Sequence, residues 1–166
     1  MNRILIIGSG GAGKSTLALK MFDILHIQVI NLDSYYWQPN WIAQPKEKWS
    51  KIVTDLCKIP SWIMDGNYFN SLPLRLQYAD TVIFIKKSRY ECLFNAYKRM
   101  FTKRVDPIQG CPEKVDWGFV KWIWNYQKDI TPKIMAILNE HPKFELHILK
   151  NNKEIEAFIK KISDKN

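Results

Sequence analysis

The stretch Gly8-Ser9-Gly10-Gly11-Ala12-Gly13-Lys14-Ser15 constrains this 166-residue chain more than any other feature. It fits the pattern G-x-x-x-x-G-K-S/T at every fixed position, and Thr16 follows directly. Each residue type has a physical reason. Glycines let the backbone wrap tightly enough for consecutive N–H groups to point inward at a β-phosphate. Lys14 is spaced to reach β- and γ-oxygens, and Ser15 offers a hydroxyl to Mg²⁺. A helix opening here aims its positive end at the same anion. The flanks agree. Arg3 to Ile7 is a short apolar run of strand character, and Leu17, Met21, Ile24 and Leu25 recur at helical spacing. Gly8 to Thr16 therefore reads as a cradle for nucleotide phosphates, with ATP and Mg²⁺ as the expected ligands.

Strands and helices alternate along the rest of the chain. Ile27 to Leu32, Trp62 to Met64, Thr81 to Ile85 and Phe144 to Leu149 read as further strands. Helices are expected around 46–57, over 71–78 with Pro73 in the first turn, and over 153–162. Another is expected from an Asp116 N-cap to Leu138, kinked at Pro132. Tyr90, Leu93, Phe94, Tyr97, Met100 and Phe101 form the apolar stripe of one more amphipathic helix. At ~100° per residue, Arg89, Arg99 and Lys103 fall within about 80° of one another opposite that stripe. Such alternation predicts a three-layer α/β fold around a parallel sheet. No linker or internal repeat divides the chain, so a single domain, 1–166, is expected.

Composition narrows the partners. The formal charge is +9, and residues 86 to 104 hold Lys86, Lys87, Arg89, Lys98, Arg99, Lys103 and Arg104 against one acid, Glu91. Such a block calls for a polyanion, either nucleotide phosphates or a nucleic-acid backbone, or else it is a solvated basic helix face. Cys57, Cys92 and Cys111 are odd in number and far apart, which argues against a disulfide framework and for a reducing cytoplasm. No apolar run approaches the ~18 residues of a membrane span, and the N-terminal run is too short for a secretory signal.

In an open parallel sheet, ligands collect beyond the carboxyl ends of the strands. Asp65 ends the third predicted strand and is the candidate second ligand for Mg²⁺, beside Ser15; its plainer role is that of a turn residue. Asp33 ends the second, where it accepts a substrate proton, anchors substrate, or simply caps a turn. Tyr35, Tyr36, Trp37 and Trp41 either stack on a nucleobase or staple a loop to the core. Arg75 is placed to meet an acceptor's phosphate or carboxylate, unless Asp80 pairs with it. Residues 105 to 115, with Pro107, Gly110 and Pro112, have the composition of a lid spanning about 100–116. Arg99 and Arg104 are the first choices for cations around a moving phosphoryl group and Arg89 the next, the alternative being a basic surface hairpin. Trp117, Trp122 and Trp124 read as packing.

Gly8 to Thr16, Leu32-Asp33-Ser34-Tyr35-Tyr36-Trp37, Trp62-Ile63-Met64-Asp65-Gly66-Asn67-Tyr68, Arg75-Leu76, Ala79-Asp80, Gly110-Cys111-Pro112 and Asp116-Trp117 together resemble one family. It comprises bacterial P-loop proteins named for DNA topology modulation (FlaR-related), close to adenylate kinase and other small kinases. The resemblance implies a P-loop NTPase fold with a five-stranded parallel sheet in order 2-3-1-4-5, a nucleotide-binding loop and a small lid with arginines. Asp33-Ser34-Tyr35-Tyr36 is similar to the Asp-Ser-Phe-Tyr segment of uridine-kinase-like enzymes, where the aspartate is the acceptor-side base. Asp65-Gly66 is similar to the Asp-Gly pair of nucleoside monophosphate kinases, although Asn67-Tyr68-Phe69 stands where adenylate kinases have Phe-Pro-Arg. Two functions are therefore expected. The first is a kinase-like phosphotransferase moving the γ-phosphoryl of MgATP to a nucleoside, nucleotide or hydroxyl metabolite. The alternative is an ATP-dependent DNA-associated protein that modulates DNA topology or gene regulation, with ATP as a switch.

Overall fold

The computed structural model describes residues 1–99, 108–112, 117–141 and 143–165. The apolar run after the N-terminus forms β1 (Arg3–Gly8) at the centre of a parallel sheet. The sheet also contains β2 (Val29–Asn31), β5 (Trp62–Asp65), β6 (Thr81–Ile85) and β7 (Glu145–Leu149), in the order β2-β5-β1-β6-β7. Two more strands, β3 (Trp37–Gln38) and β4 (Ile42–Ala43), pair antiparallel with each other apart from this sheet. Counting the five parallel strands alone, the order is 2-3-1-4-5, as the resemblance implied.

Period-two alternation in β1 builds both layers of the core. Leu5 and Ile7 face one side, with Trp49 and Val53 of α3 (Lys46–Cys57), Leu72 and Leu76 of α4 (Leu72–Leu76), and Ile134 and Leu138 of α7 (Thr131–Glu140). Ile4 and Ile6 face the other, with Leu17 and Met21 of α1 (Lys14–Leu25) and Ile155, Phe158 and Ile162 of α8 (Asn152–Ser163). Each such side chain, fully enclosed, contributes roughly 1.5–3 kcal/mol. The predicted three-layer α/β arrangement is the one observed. Among the described residues no helix is long and apolar enough to cross a membrane.

Three local expectations are corrected. The second strand stops at Asn31, because the Asn31 side chain accepts from Asp33 N at 3.0 Å and caps a short helix, α2 (Leu32–Tyr36). The expected kinked helix is two helices, α6 (Trp117–Asp129) and α7. Pro132 has no N–H to continue α6 and instead sits in the first turn of its successor. Asp116, its expected N-cap, lies outside the described residues. The third correction concerns α5 (Arg89–Lys98), whose aromatic stripe does not face the core. Tyr90, Phe94 and Tyr97 are 68%, 66% and 60% exposed, while Cys92 and Ala96 point inward. The inward face is the one with small side chains, for a reason that lies in the phosphate loop.

Asp80 does not pair with Arg75. Its carboxylate accepts from Asn2 N at 2.8 Å, Arg3 N at 2.9 Å and the Thr81 hydroxyl at 2.7 Å, tying β1 to β6 at their entry. Partial burial raises its pKa, but these donors outweigh it and hold the group below the ordinary 3.8. A depressed folded-state pKa gives stability that is present above pH ~4 and lost as pH falls through the folded value. Asp80→Asn is expected to cost roughly 1 kcal/mol near neutrality. In denaturant titrations this deficit should shrink below pH 4; a deficit that persists undiminished at pH 2.5 would contradict the assignment.

Candidate active site

The phosphate loop is shaped by what presses on it. Gly13, at φ 95, is the N-cap of α1, and Lys14 Nζ donates to Ser9 O at 3.1 Å. Gly11 has φ 72, and a Cβ there would stand 2.1 Å from the carbonyl oxygen of Cys92. Backbone therefore touches backbone, which is why α5 presents Cys92 and Ala96 here. The Asn95 amide completes the contact by donating to Gly11 O at 2.9 Å. On the other side a Cβ on Gly10 would be 2.7 Å from the Phe119 ring and 3.3 Å from that of Trp122, both on α6. Ser9 is buried. Asn95 and Phe119 were not read from sequence as site residues; only the close approach required by the glycines hints at them.

The carboxyl end of β5 supplies the acid. Asp65 is buried, and the Ser15 hydroxyl donates to its Oδ2 at 2.6 Å. Register places Asp65 beside Ile6 of β1, one strand away from the loop. A hydroxyl and a carboxylate are hard oxygen donors of the type that Mg²⁺ takes together with phosphate and water.

The next residues reach in three directions. Asn67 Oδ1 accepts from Gly8 N at 3.0 Å and from the Tyr126 hydroxyl at 3.1 Å, joining the phosphate loop to α6. The Tyr68 hydroxyl donates to Asp33 Oδ1 at 2.6 Å. Burial and the adjacent Asp33 carboxylate push the Tyr68 phenol far above its ordinary pKa, so it remains a donor. Arg75 holds this segment from beneath. It is fully buried, and its guanidinium donates to Gly66 O at 2.8 Å, Tyr68 O at 3.0 Å and Asn67 O, with a longer bond from Nε to Ser71 O at 3.4 Å. Burial lowers its pKa to about 10, still well above neutrality. The structure thus places Arg75 under the loop and not on an open acceptor surface. Tyr68 sits at φ 30, a left-handed conformation costing a non-glycine residue on the order of 1–3 kcal/mol, which these bonds maintain.

Asp33 stands in the first turn of α2, half-buried. Tyr36 packs with Trp49 and Tyr68, ring centroids 4.7–5.0 Å apart, and with Trp37 at 4.8 Å. Tyr36 and Tyr68 lie against the core, so these aromatics include core staples, whereas Tyr35 is exposed. Arg99 is the C-cap of α5, and among the described residues its buried Nε has no hydrogen-bond partner. Arg89 lies over the Trp124 ring at 4.8 Å. Arg104 and Lys103 lie outside the described residues. Of the expected lid, residues 108–112 are described, and they dock on the β3–β4 hairpin. Asn40 N donates to Gly110 O at 2.9 Å, Trp41 Nε1 to Pro112 O at 3.0 Å and the Cys111 thiol to Gln38 O at 3.2 Å.

A glycine-lined turn between the central strand and α1, with an acid at the end of the adjacent strand and the order 2-3-1-4-5, defines a P-loop kinase fold. Solved structures bear this out. The shikimate kinase from Acinetobacter baumannii in complex with shikimate superposes with a TM-score of 0.62 at 13% identity, over 98% of this chain and 90% of that one. A Chloroflexus aurantiacus protein provisionally named a kinase matches with a TM-score of 0.56 at 13% identity, over 99% and 98%. At such identity the likeness is one of fold. No family model and no curated sequence matches the chain.

If Arg75 is the internal clamp, removing its donors leaves buried carbonyls unsatisfied. Arg75→Met is expected to lose about 3 kcal/mol, or roughly 6–12 °C in Tm without any ligand. An unchanged melting temperature would return Arg75 to a purely substrate-facing role.

Proposed function

We propose that this protein is a small phosphotransferase that moves the γ-phosphoryl group of MgATP to a hydroxyl of a small acceptor. The observation that carries this reading is the segment 65–68. Asp65 meets Ser15 beside the phosphate loop, and Tyr68 meets Asp33 two strands from β1, so one short loop spans a donor side and an acceptor side. The amides of Gly8 to Thr16 would cradle the phosphates, with Lys14 turning from Ser9 O to the β- and γ-oxygens. Ser15 and Asp65 are the protein's ligands for Mg²⁺, which supplies neutralisation of the phosphate charge when bound. Asp33, held by Tyr68, orients the acceptor hydroxyl and takes its proton. Phosphoryl transfer needs little covalent help, so positioning of this kind is most of the task.

Arg99 brings a guanidinium to the end of the helix that presses on the loop, its buried Nε–H unbonded among the described residues. Of the lid expected over 100–116, Arg104 lies outside the described residues, and the docking of 108–112 on the hairpin after Asp33 supports a cover on the acceptor side. Tyr36 stiffens that wall, and Arg75 serves the acceptor indirectly by fixing Tyr68. The complex of the A. baumannii enzyme with shikimate is in line with a small-molecule acceptor, here a nucleoside, nucleotide or hydroxyl metabolite. The reading as a DNA-associated protein rests on the charge of residues 86–104 and on the resemblance to the family named for DNA topology modulation, and the site geometry favours the kinase reading over it.

A screen of nucleosides, nucleotides and hydroxyl metabolites with MgATP is expected to find an acceptor that raises ADP release above the water background. With that acceptor, Asp33→Asn should reduce turnover about 100-fold or more while MgATP affinity holds. Lys14→Ala should lose binding and turnover together. An Asp33→Asn variant of undiminished activity would remove Asp33 from the mechanism, and a screen without any acceptor would remove the phosphotransferase reading.

A further inference from the structure

Lys87, the second residue beyond β6, is only 6% exposed, an unusual position for a lysine. Its ammonium lies against the phosphate loop, since a Cβ on Gly13 would stand 3.9 Å from Lys87 Nζ. The backbone around it is fixed on both sides. Lys86 N donates to Leu149 O of β7 at 2.8 Å, and Gln127 Nε2 of α6 donates to Lys87 O at 2.8 Å. The ammonium donates to Asn152 Oδ1, at the start of α8. An ammonium has three donors, and a neutral amide oxygen takes one of them. Among the described residues no carboxylate forms an ion pair with it.

Taking an ammonium out of water costs several kcal/mol, and one amide oxygen offsets only part of that. A lysine held this way next to a ring of inward amides is arranged for an anion. Its neighbourhood points the same way. The Cys92 thiol, raised mainly by burial, is pulled back by both Lys14 and Lys87, so both ammonium groups act on the residue whose carbonyl presses on Gly11.

We infer that Lys87 is a second cation of the nucleotide site, meeting the phosphate chain of a nucleoside di- or triphosphate from the β6 side as Lys14 meets it from α1. The inference rests on the reading of Gly8 to Thr16 as the donor site and adds a residue outside the motif. Asn152 then holds Lys87 in place between ligands, and its neutrality matters, because a carboxylate there would satisfy the lysine internally.

Calorimetric titration of MgADP and MgATP into the full chain tests this. Lys87→Met, which keeps the length and drops the charge, is expected to weaken both at least tenfold. It should also flatten the salt dependence of binding, while Lys86→Met, at an exposed neighbour, leaves affinity unchanged. Asn152→Asp leaves Lys87 in the protein but neutralises it; this variant is expected to raise the ligand-free Tm and weaken MgATP. A mere tie between two loops behaves oppositely: Lys87→Met would lower the ligand-free Tm, and nucleotide affinity would stay within twofold in both variants. That result would overturn the inference while leaving the donor site intact. Failure of the unaltered protein to bind either nucleotide would overturn the donor site itself, and the inference with it.

Discussion

Main chain presses directly on main chain where α5 crosses the phosphate loop, and much of the site is arranged around that contact. The carbonyl of Cys92 stands where any side chain at position 11 would have to go. Such an approach requires small residues on the helix, so Cys92 and Ala96 face inward and the aromatics Tyr90, Phe94 and Tyr97 are turned to solvent. Ordinary amphipathic logic would turn the helix the other way. Here the shape of the loop overrides it, because Gly10 and Gly11 have no side chains with which to meet their neighbours.

A second constraint acts from the sheet. Because β5 lies between β1 and β2, its carboxyl end is adjacent to both the phosphate loop and the start of α2. Three residues exploit this position: Asp65 bonds Ser15, Asn67 bonds Gly8 and Tyr68 bonds Asp33. A guanidinium buried beneath them takes up the carbonyls that such a tight path leaves over. The groups beside the phosphate loop and those at the start of α2 are thus set by the same few backbone angles, including the left-handed one at Tyr68. Precision of this kind is what the proposed transfer between two bound molecules needs.

How much of this is legible in the sequence depends on the range of the signal. The phosphate loop and its flanking strand and helix are local, and the alternation of strands and helices needs only short windows. The strand order came from family resemblance, since nothing in a single strand says which neighbours it takes. Arg75 shows a limit of another kind. A polar residue shortly after a glycine turn reads equally well as a ligand for an anion or as a clamp on carbonyls, and only burial separates the two. Lys87 was hidden for a similar reason, one lysine within a basic block whose exposed members, such as Lys86 and Lys98, look the same in sequence. The stripe on α5 was misleading because periodicity reports a face without saying what that face must approach. Pro132 carried enough information to end a helix, yet a kink and a break differ only in the turn that precedes it.

The proposed phosphotransferase depends on the amides between Gly8 and Thr16 enclosing the phosphates of a nucleotide. A titration of isotopically labelled protein with MgADP, followed by amide resonances, addresses it residue by residue. Gly10, Gly11, Gly13, Lys14 and Ser15 are expected to undergo the largest shifts, and Lys14→Ala to abolish them. Saturating nucleotide that leaves these amides in place, or moves others more, would contradict it.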